Sequence, residues 1–172
     1  MLDVGCGKGK WGFLARLNAH FLVKEPPKEI VGVDVFPPYL RFCKGLSKIY
    51  DALVLCDARF LPFKRKVFDI VLVAELLEHL DKNSGKKVLA ESERVARKRV
   101  IITTPQYPLP QTTLDQNIHQ EHVSRYTAKE LKNSGFTVYG LGLHVWHYIF
   151  PITLPKIPLK FAYLLIAYKE LS

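Results

Sequence analysis

The chain has 172 residues, 48% of them hydrophobic and 24% charged, with a formal net charge of +9. This composition excludes a disordered chain and suits one domain with a sizeable core. The positive charge favours anionic partners and says nothing about fold.

Residues 1–5 read as a first strand, followed by a turn at Gly5, Gly7 and Gly9 and a helix over 9–22. "EIVGVDVF" (29–36) is a second strand and "ALVLC" (52–56) a third, the latter running into Asp57-Ala58. "VFDIVLVA" (67–74) is a fourth strand, and "AELLEHL" places Glu75, Glu78 and His79 directly behind it. A helix over 86–97 would set Val88, Leu89, Val95 and Ala96 on one face. "RVIITT" (99–104) is a fifth strand. The segment 105–126, with His119 and His122, fits neither periodicity. "TAKELKNSG" predicts a short helix, with a Thr127–Glu130 capping box and Gly135 closing it. "FTVYGLGL" (136–143) and "FAYLLIAYK" (161–169) complete the strands, separated by an aromatic, proline-rich insertion at 144–160. Such β-branched, nearly continuous runs alternating with helices predict an α/β fold with a mostly parallel, doubly wound sheet.

Three cysteines, Cys6, Cys43 and Cys56, occur without a CxxC, which argues against a disulfide framework or a thiolate zinc site. The start lacks a basic n-region, and the longest apolar run, 161–168, is too short to cross a bilayer as a helix. A soluble cytoplasmic protein is expected, with residues 1–172 forming a single domain.

The glycine turn is the first chemical signal. Glycine takes positive φ and lets backbone N–H groups approach a ligand, while the helix behind it offers its N-terminal dipole. Alone it is weak, and a dinucleotide pattern can also be drawn at Gly7, Gly9 and Gly12. Three acids add to it. Asp3 precedes the turn, Asp34 closes the second strand where it could accept both hydroxyls of a ribose, and Asp57 with the Ala58 N–H could read an adenine edge. Phe60, Leu61 and Phe63 could wall the base.

In order, "LDVGCGKG", "GVDVF", "CDARFLPF", "FDIVLVAELLEHL" and "HVSRYTAKELKNSGF" resemble the class I S-adenosylmethionine-dependent methyltransferases over nearly the whole chain. The resemblance implies a Rossmann-like, seven-stranded sheet of order 3-2-1-4-5-7-6, its last strand antiparallel. It implies that Asp3, Gly5, Cys6, Gly7 and Gly9 hold the methionine part of S-adenosylmethionine, with the backbone around Ala74 and Glu75 completing that end. Asp34 with Val35 would take the ribose, and Asp57 with Ala58 the adenine. Relatives carry helices ahead of the first strand, whereas Met1 stands inside it, so a helical cap over the site is expected to be missing from these residues.

If a helix starts at residue 75, Glu75, Glu78 and His79 share one face and could hold a hard cation. Small-RNA 2′-O-methyltransferases and ubiquinone-pathway O-methyltransferases look similar here. The first of these add a later histidine, which implies a divalent-metal set of Glu75, Glu78, His79 and His122, with His119 in reserve. Without metal, His79 could act as general base, and Glu78 and His122 are the other candidate catalytic groups.

The basic runs 64–66 and 96–99 precede the fourth and fifth strands, at the edge opposite the expected chemistry, and read as a solvated rim. Trp146, Tyr148, Ile149 and Phe150 could wall an apolar pocket, fill core or pack on a second copy in a homodimer. The base-amine motif Asn/Asp-Pro-Pro-aromatic is replaced by Ala74-Glu75-Leu76-Leu77. The first expectation is therefore methyl transfer to an oxygen or carbon of a small, fairly apolar molecule, and the second is an RNA ribose hydroxyl. Outside this class stand a non-catalytic nucleotide-binding module and a nicotinamide-dependent oxidoreductase, which leaves Asp57 and the Glu/His cluster unexplained.

Overall fold

The computed structural model describes residues 1–21, 27–46, 48–107, 111, 113, 115–143, 155–159 and 162–171. The chain runs β1 (Leu2–Val4), α1 (Lys10–Phe21), β2 (Val31–Asp34), α2 (Pro37–Gly45), β3 (Ala52–Leu55) and β4 (Phe68–Ala74). It continues through α3 (Lys82–Val95), β5 (Ala96–Pro105), α4 (Ala128–Asn133), β6 (Thr137–Leu143), β7 (Pro155–Ile157) and β8 (Ala162–Glu170). Single turns of 3₁₀ helix stand at Leu77–His79 and Ile118–Gln120.

The sheet order is β3-β2-β1-β4-β5-β8-β6-β7. The first five strands pair in parallel, and β8 pairs antiparallel with both β5 and β6. The seven expected strands therefore stand in the expected 3-2-1-4-5-7-6 order, with β8 as the seventh. The addition is β7, a three-residue edge strand pairing with β6. It lies in the stretch read as irregular insertion; Trp146, Tyr148, Ile149 and Phe150 lie outside the described residues.

The parallel strands are apolar because both faces are covered near the centre. Leu2, Val4, Val33, Val71, Val73, Val100 and Ile102 are buried with Val88 and Val95 of α3 and Leu131 of α4. Each such side chain contributes about 1.5–3 kcal/mol through burial. Asp81 starts α3 by accepting from the Asn83 and Ser84 backbone N–H groups, so α3 begins four residues before the expected position. The capping box of α4 forms as predicted. The expected helix over 86–97 stops at Val95, and the basic run 96–99 opens β5 rather than preceding it. Its charges are tied down at that edge, Arg97 and Lys98 on Asp69 and Arg99 on Glu170.

Candidate active site

The carboxyl ends of β1, β2, β3 and β4 meet at a cavity of about 470 Å³. Crevices at the carboxyl ends of parallel strands are where ligands bind in open α/β sheets. One end is lined by Cys56, Asp57, Ala58 and Arg59, the middle by Gly5, Gly7, Asp34 and Val35, and the other end by Glu75, Leu76 and His79.

The glycine turn takes its shape from left-handed backbone at Gly5, Gly7 and Gly9. The Gly5 and Cys6 N–H groups both donate to the Val33 carbonyl, which ties the turn to β2. At Gly7 a Cβ would meet nothing within 4 Å, so the backbone there is open to a ligand. Gly9 instead abuts the Cys43 thiol and Tyr50, and Cys6 turns its buried thiol away from the cavity wall. Asp34 accepts from Gly7 N–H at 2.8 Å and from Phe36 N–H at 2.8 Å, one on each oxygen. Each oxygen keeps a lone pair, and the carboxylate lines the cavity. Burial raises its pKa, opposed by those backbone bonds.

Asp57 is already engaged. Arg59 reaches both of its oxygens, with bonds of 2.6–3.0 Å, and holds its carboxyl below the usual range. Arg59 also reaches Ser84 Oγ at 3.3 Å and lines the cavity. Sequence reasoning missed Arg59; its spacing of two from Asp57, typical of a side chain folding back over an Asx turn, was the available signal.

At the far end β4 terminates in a strained residue. Glu75 has φ +50°, a left-handed conformation costing about 1–2 kcal/mol for a non-glycine residue. Thr103 holds it there: Glu75 N–H donates to the Thr103 carbonyl at 3.0 Å, and Thr103 Oγ1 donates to Glu75 Oε1 at 2.6 Å. The helical face expected from residue 75 does not form, because this clamp takes Glu75 out of the following turn. Glu78 points inward instead and accepts from Thr104 Oγ1 at 3.0 Å. It is 3% exposed, and burial, with the nearby Glu75 charge, pushes its pKa up to about 8.

His79 lines the cavity. Its Nδ1 lies 3.1 Å from the Glu121 carbonyl oxygen. A carbonyl only accepts, so Nδ1 carries the hydrogen and Nε2 the lone pair. Burial lowers the pKa of this imidazole, which keeps it neutral. The His122 ring stands edge-on to it at 4.7 Å, and donor atoms of Glu78, His79 and His122 lie within 4.8 Å of one another. Glu75 is outside that group. His119 lines the part of the cavity near Asp34 and Asp57.

The cavity is roofed by residues 115–123. Asp115 pairs with Lys8 of the glycine turn at 2.7 Å and accepts from the Tyr39 hydroxyl at 3.1 Å. The other end is pinned by Val123 and Ser124 N–H groups, which both donate to the Glu78 carbonyl at 2.9 and 3.0 Å. Asn117, His119, Gln120 and Val123 face the cavity. Asp3 and Ala74, by contrast, are buried at the strand ends and do not line it.

A family model described as "Methyltransferase domain" matches residues 2–103. The chain belongs to the methyltransferase domain family. Norajmaline N-methyltransferase of Rauvolfia serpentina is 29% identical over 101 residues, spanning 56% of this chain and 32% of the relative. The matched part is thus about a third of that curated relative's length. A SAM-dependent methyltransferase from Archaeoglobus fulgidus has the same fold at TM-score 0.68 and 16% identity, covering 99% of this chain and 85% of the other. Magnesium protoporphyrin IX methyltransferase of Synechocystis, solved with bound SAM, aligns at TM-score 0.56 and 16% identity, covering 98% and 68%.

The residues lining the cavity fit S-adenosylmethionine, the molecule bound in the Synechocystis neighbour. The backbone at Gly7 is open, Asp34 offers two acceptor oxygens for a diol, and Ala58 lines the cavity beside Asp57. Among the described residues no helix is long and apolar enough to cross a membrane.

Proposed function

We propose that this domain catalyses methyl transfer from S-adenosylmethionine to an oxygen or carbon of a small, fairly apolar acceptor, with His79 as general base. The observation that supports this most is the tautomer of His79. The Glu121 carbonyl keeps the hydrogen on Nδ1, so Nε2 is the basic atom of a neutral imidazole at the cavity wall. S-adenosylmethionine supplies an electrophilic methyl group when bound. Methyl transfer is an in-line displacement, so the chain's contribution is chiefly positioning. Asp34 would hold the ribose hydroxyls, Gly5 and Gly7 the methionine end, and Asp57 and Ala58 the adenine. Residues 115–123 would cover the bound cofactor from above. Nε2 of His79 would take the proton that an acceptor hydroxyl loses. An amine acceptor, as the name of the Rauvolfia relative describes for that protein, could lose its proton to the same nitrogen.

A second reading is favoured by the approach of Glu78, His79 and His122 within 4.8 Å. Two imidazoles and a carboxylate suit a divalent cation that acidifies an acceptor hydroxyl, including a ribose 2′-hydroxyl of RNA. Glu75 would join only after leaving Thr103.

The deciding experiment supplies acceptors of both kinds to the wild type and to His79→Gln, with and without EDTA. Loss of turnover on substitution, with cofactor binding retained and EDTA harmless, supports the base. Loss with EDTA supports the metal. Free thiols at Cys6, Cys43 and Cys56 fit the cytoplasmic location proposed for the protein.

A further inference from the structure

Tyr50 lies in the segment between α2 and β3 and was not among the residues singled out by motif. Its hydroxyl donates to Asp3 Oδ2 at 2.7 Å. To reach it, the ring passes through a notch made by two glycines. A Cβ at Gly12, on α1, would sit 2.4 Å from the ring and 2.5 Å from the hydroxyl. A Cβ at Gly32, on β2, would sit 3.0 Å from Cδ1 and Cε1 of the same ring. Gly32 pairs directly with Asp3 across the β1–β2 ladder, so the missing side chain opens the lane to that carboxylate. Gly12, which completes a dinucleotide-like GxGxxG in the sequence, thus has a packing reason that involves no ligand.

Asp3 is 1% exposed and lies two residues ahead of Gly5, where the glycine turn begins. Its Oδ1 makes no full hydrogen bond among the described residues, and the Gly12 backbone only eases its charge. The bond from Tyr50 is the one with full geometry. The other titratable groups facing Asp3 are Asp34 from β2, Cys6 from the turn and Cys43 from α2. Asp34 adds a like charge, and neither thiol can neutralise a carboxylate.

We propose that Tyr50 is a positioning residue of the cofactor site, holding Asp3 as an oriented, charged carboxylate beneath the glycine turn where the cationic methionine end of S-adenosylmethionine would lie. This rests on the reading of Asp3 as a cofactor-site residue. The chemistry is complementary: a buried carboxylate attracts an ammonium or sulfonium only while ionised, and a donated hydrogen bond favours that form. Burial pushes the Asp3 pKa up to about 6, and the Tyr50 bond opposes that rise. The phenol itself is pushed far above its ordinary value, so it remains a donor.

The test reads Asp3 directly. The ¹³C-carboxyl resonance of Asp3 is titrated in the ligand-free wild type, in Tyr50→Phe, which keeps the ring, and in Gly12→Ala, which displaces it. Thermal melting confirms that each variant folds. The wild-type midpoint should lie near 6. Both variants should titrate about one unit or more higher, as expected for loss of a hydrogen bond to a charged group. Calorimetric S-adenosylmethionine affinity should follow: roughly three- to tenfold weaker than wild type near pH 6.5, converging above about pH 9. In Asp3→Asn the cofactor should bind weakly at every pH, and adding Tyr50→Phe should cost nothing more. An unchanged Asp3 titration in both variants overturns the positioning role. A shifted titration combined with wild-type affinity in Asp3→Asn overturns the link to the cofactor and the reading of Asp3 with it.

Discussion

The ring of His79 and the backbone of Glu121 form one unit: Nδ1 donates to the Glu121 carbonyl, and the segment carrying Glu121 is pinned to the Glu78 carbonyl two residues further on. The His79 imidazole is therefore oriented by the roof over the cavity. His79→Gln should lower turnover by about 10²–10⁴-fold, the usual contribution of a general base, and leave cofactor affinity within about twofold. Steady-state kinetics with calorimetry measures both. Equal loss of affinity and turnover would show His79 to be a binding residue instead.

Removing divalent ions separates the two readings of the histidine pair. If His79 acts alone, turnover after EDTA treatment should equal that before it. If Glu78, His79 and His122 hold an ion, turnover should fall to background and return with added Mg²⁺ or Mn²⁺. Glu78→Gln should then abolish the metal response.

Lys8 and Asp115 join the roof to the glycine turn through an ion pair whose side chains are 51% and 45% exposed. Such an exposed pair adds little to stability and is screened by salt. Asp115 and Gln116 both take left-handed backbone, so this end of the roof is strained as well as weakly held. Lys8→Ala should leave the melting temperature nearly unchanged and speed cofactor dissociation several-fold, and high salt should do the same to the wild type. Stopped-flow release of S-adenosylhomocysteine reads it. An unchanged release rate in Lys8→Ala would mean that the cofactor leaves by another route.

Asp3 should make stability fall with rising pH. Its folded pKa of about 6 lies above the ordinary 3.8, so the folded state holds this proton more tightly than the unfolded one. The contribution is full below about pH 3.8 and is lost as pH rises through about 6. Asp3→Asn removes that slope. Relative to wild type, Asp3→Asn should gain up to about 3 kcal/mol between pH 4 and pH 7, an upper bound from the shift. Denaturant melts across that range test it, and parallel stability curves for the two proteins would mean that Asp3 ionises freely. The substitution that stabilises the fold is the one expected to weaken the cofactor site, a trade common at functional centres.

The elements were legible in the sequence wherever a local rule governed them. All seven expected strands appear, because short apolar runs rich in β-branched residues and bounded by turn signals favour strands. The capping box of α4 was equally local. The helix α2 carries a weaker local signal: Pro37 and Pro38 suit its first turn only once the helix is known to start there. The stretch 155–157 pairs with β6 only through a contact that no periodicity announces.

By itself the sequence determined the order of the strands' chemistry: a glycine turn, an acid after the second strand, an acid after the third and a Glu/His cluster after the fourth. These follow from positions along a chain whose strand ends must converge on one edge. Tertiary structure alone decided how those groups are divided. Thr103 takes Glu75 away from Glu78, the roof selects the tautomer of His79, and Tyr50 reaches Asp3 through the space left by Gly12 and Gly32. Each is a contact between side chains or backbone distant in sequence, where a hydrogen bond or an absent Cβ decides the outcome, and neither follows a period that a linear reading can detect.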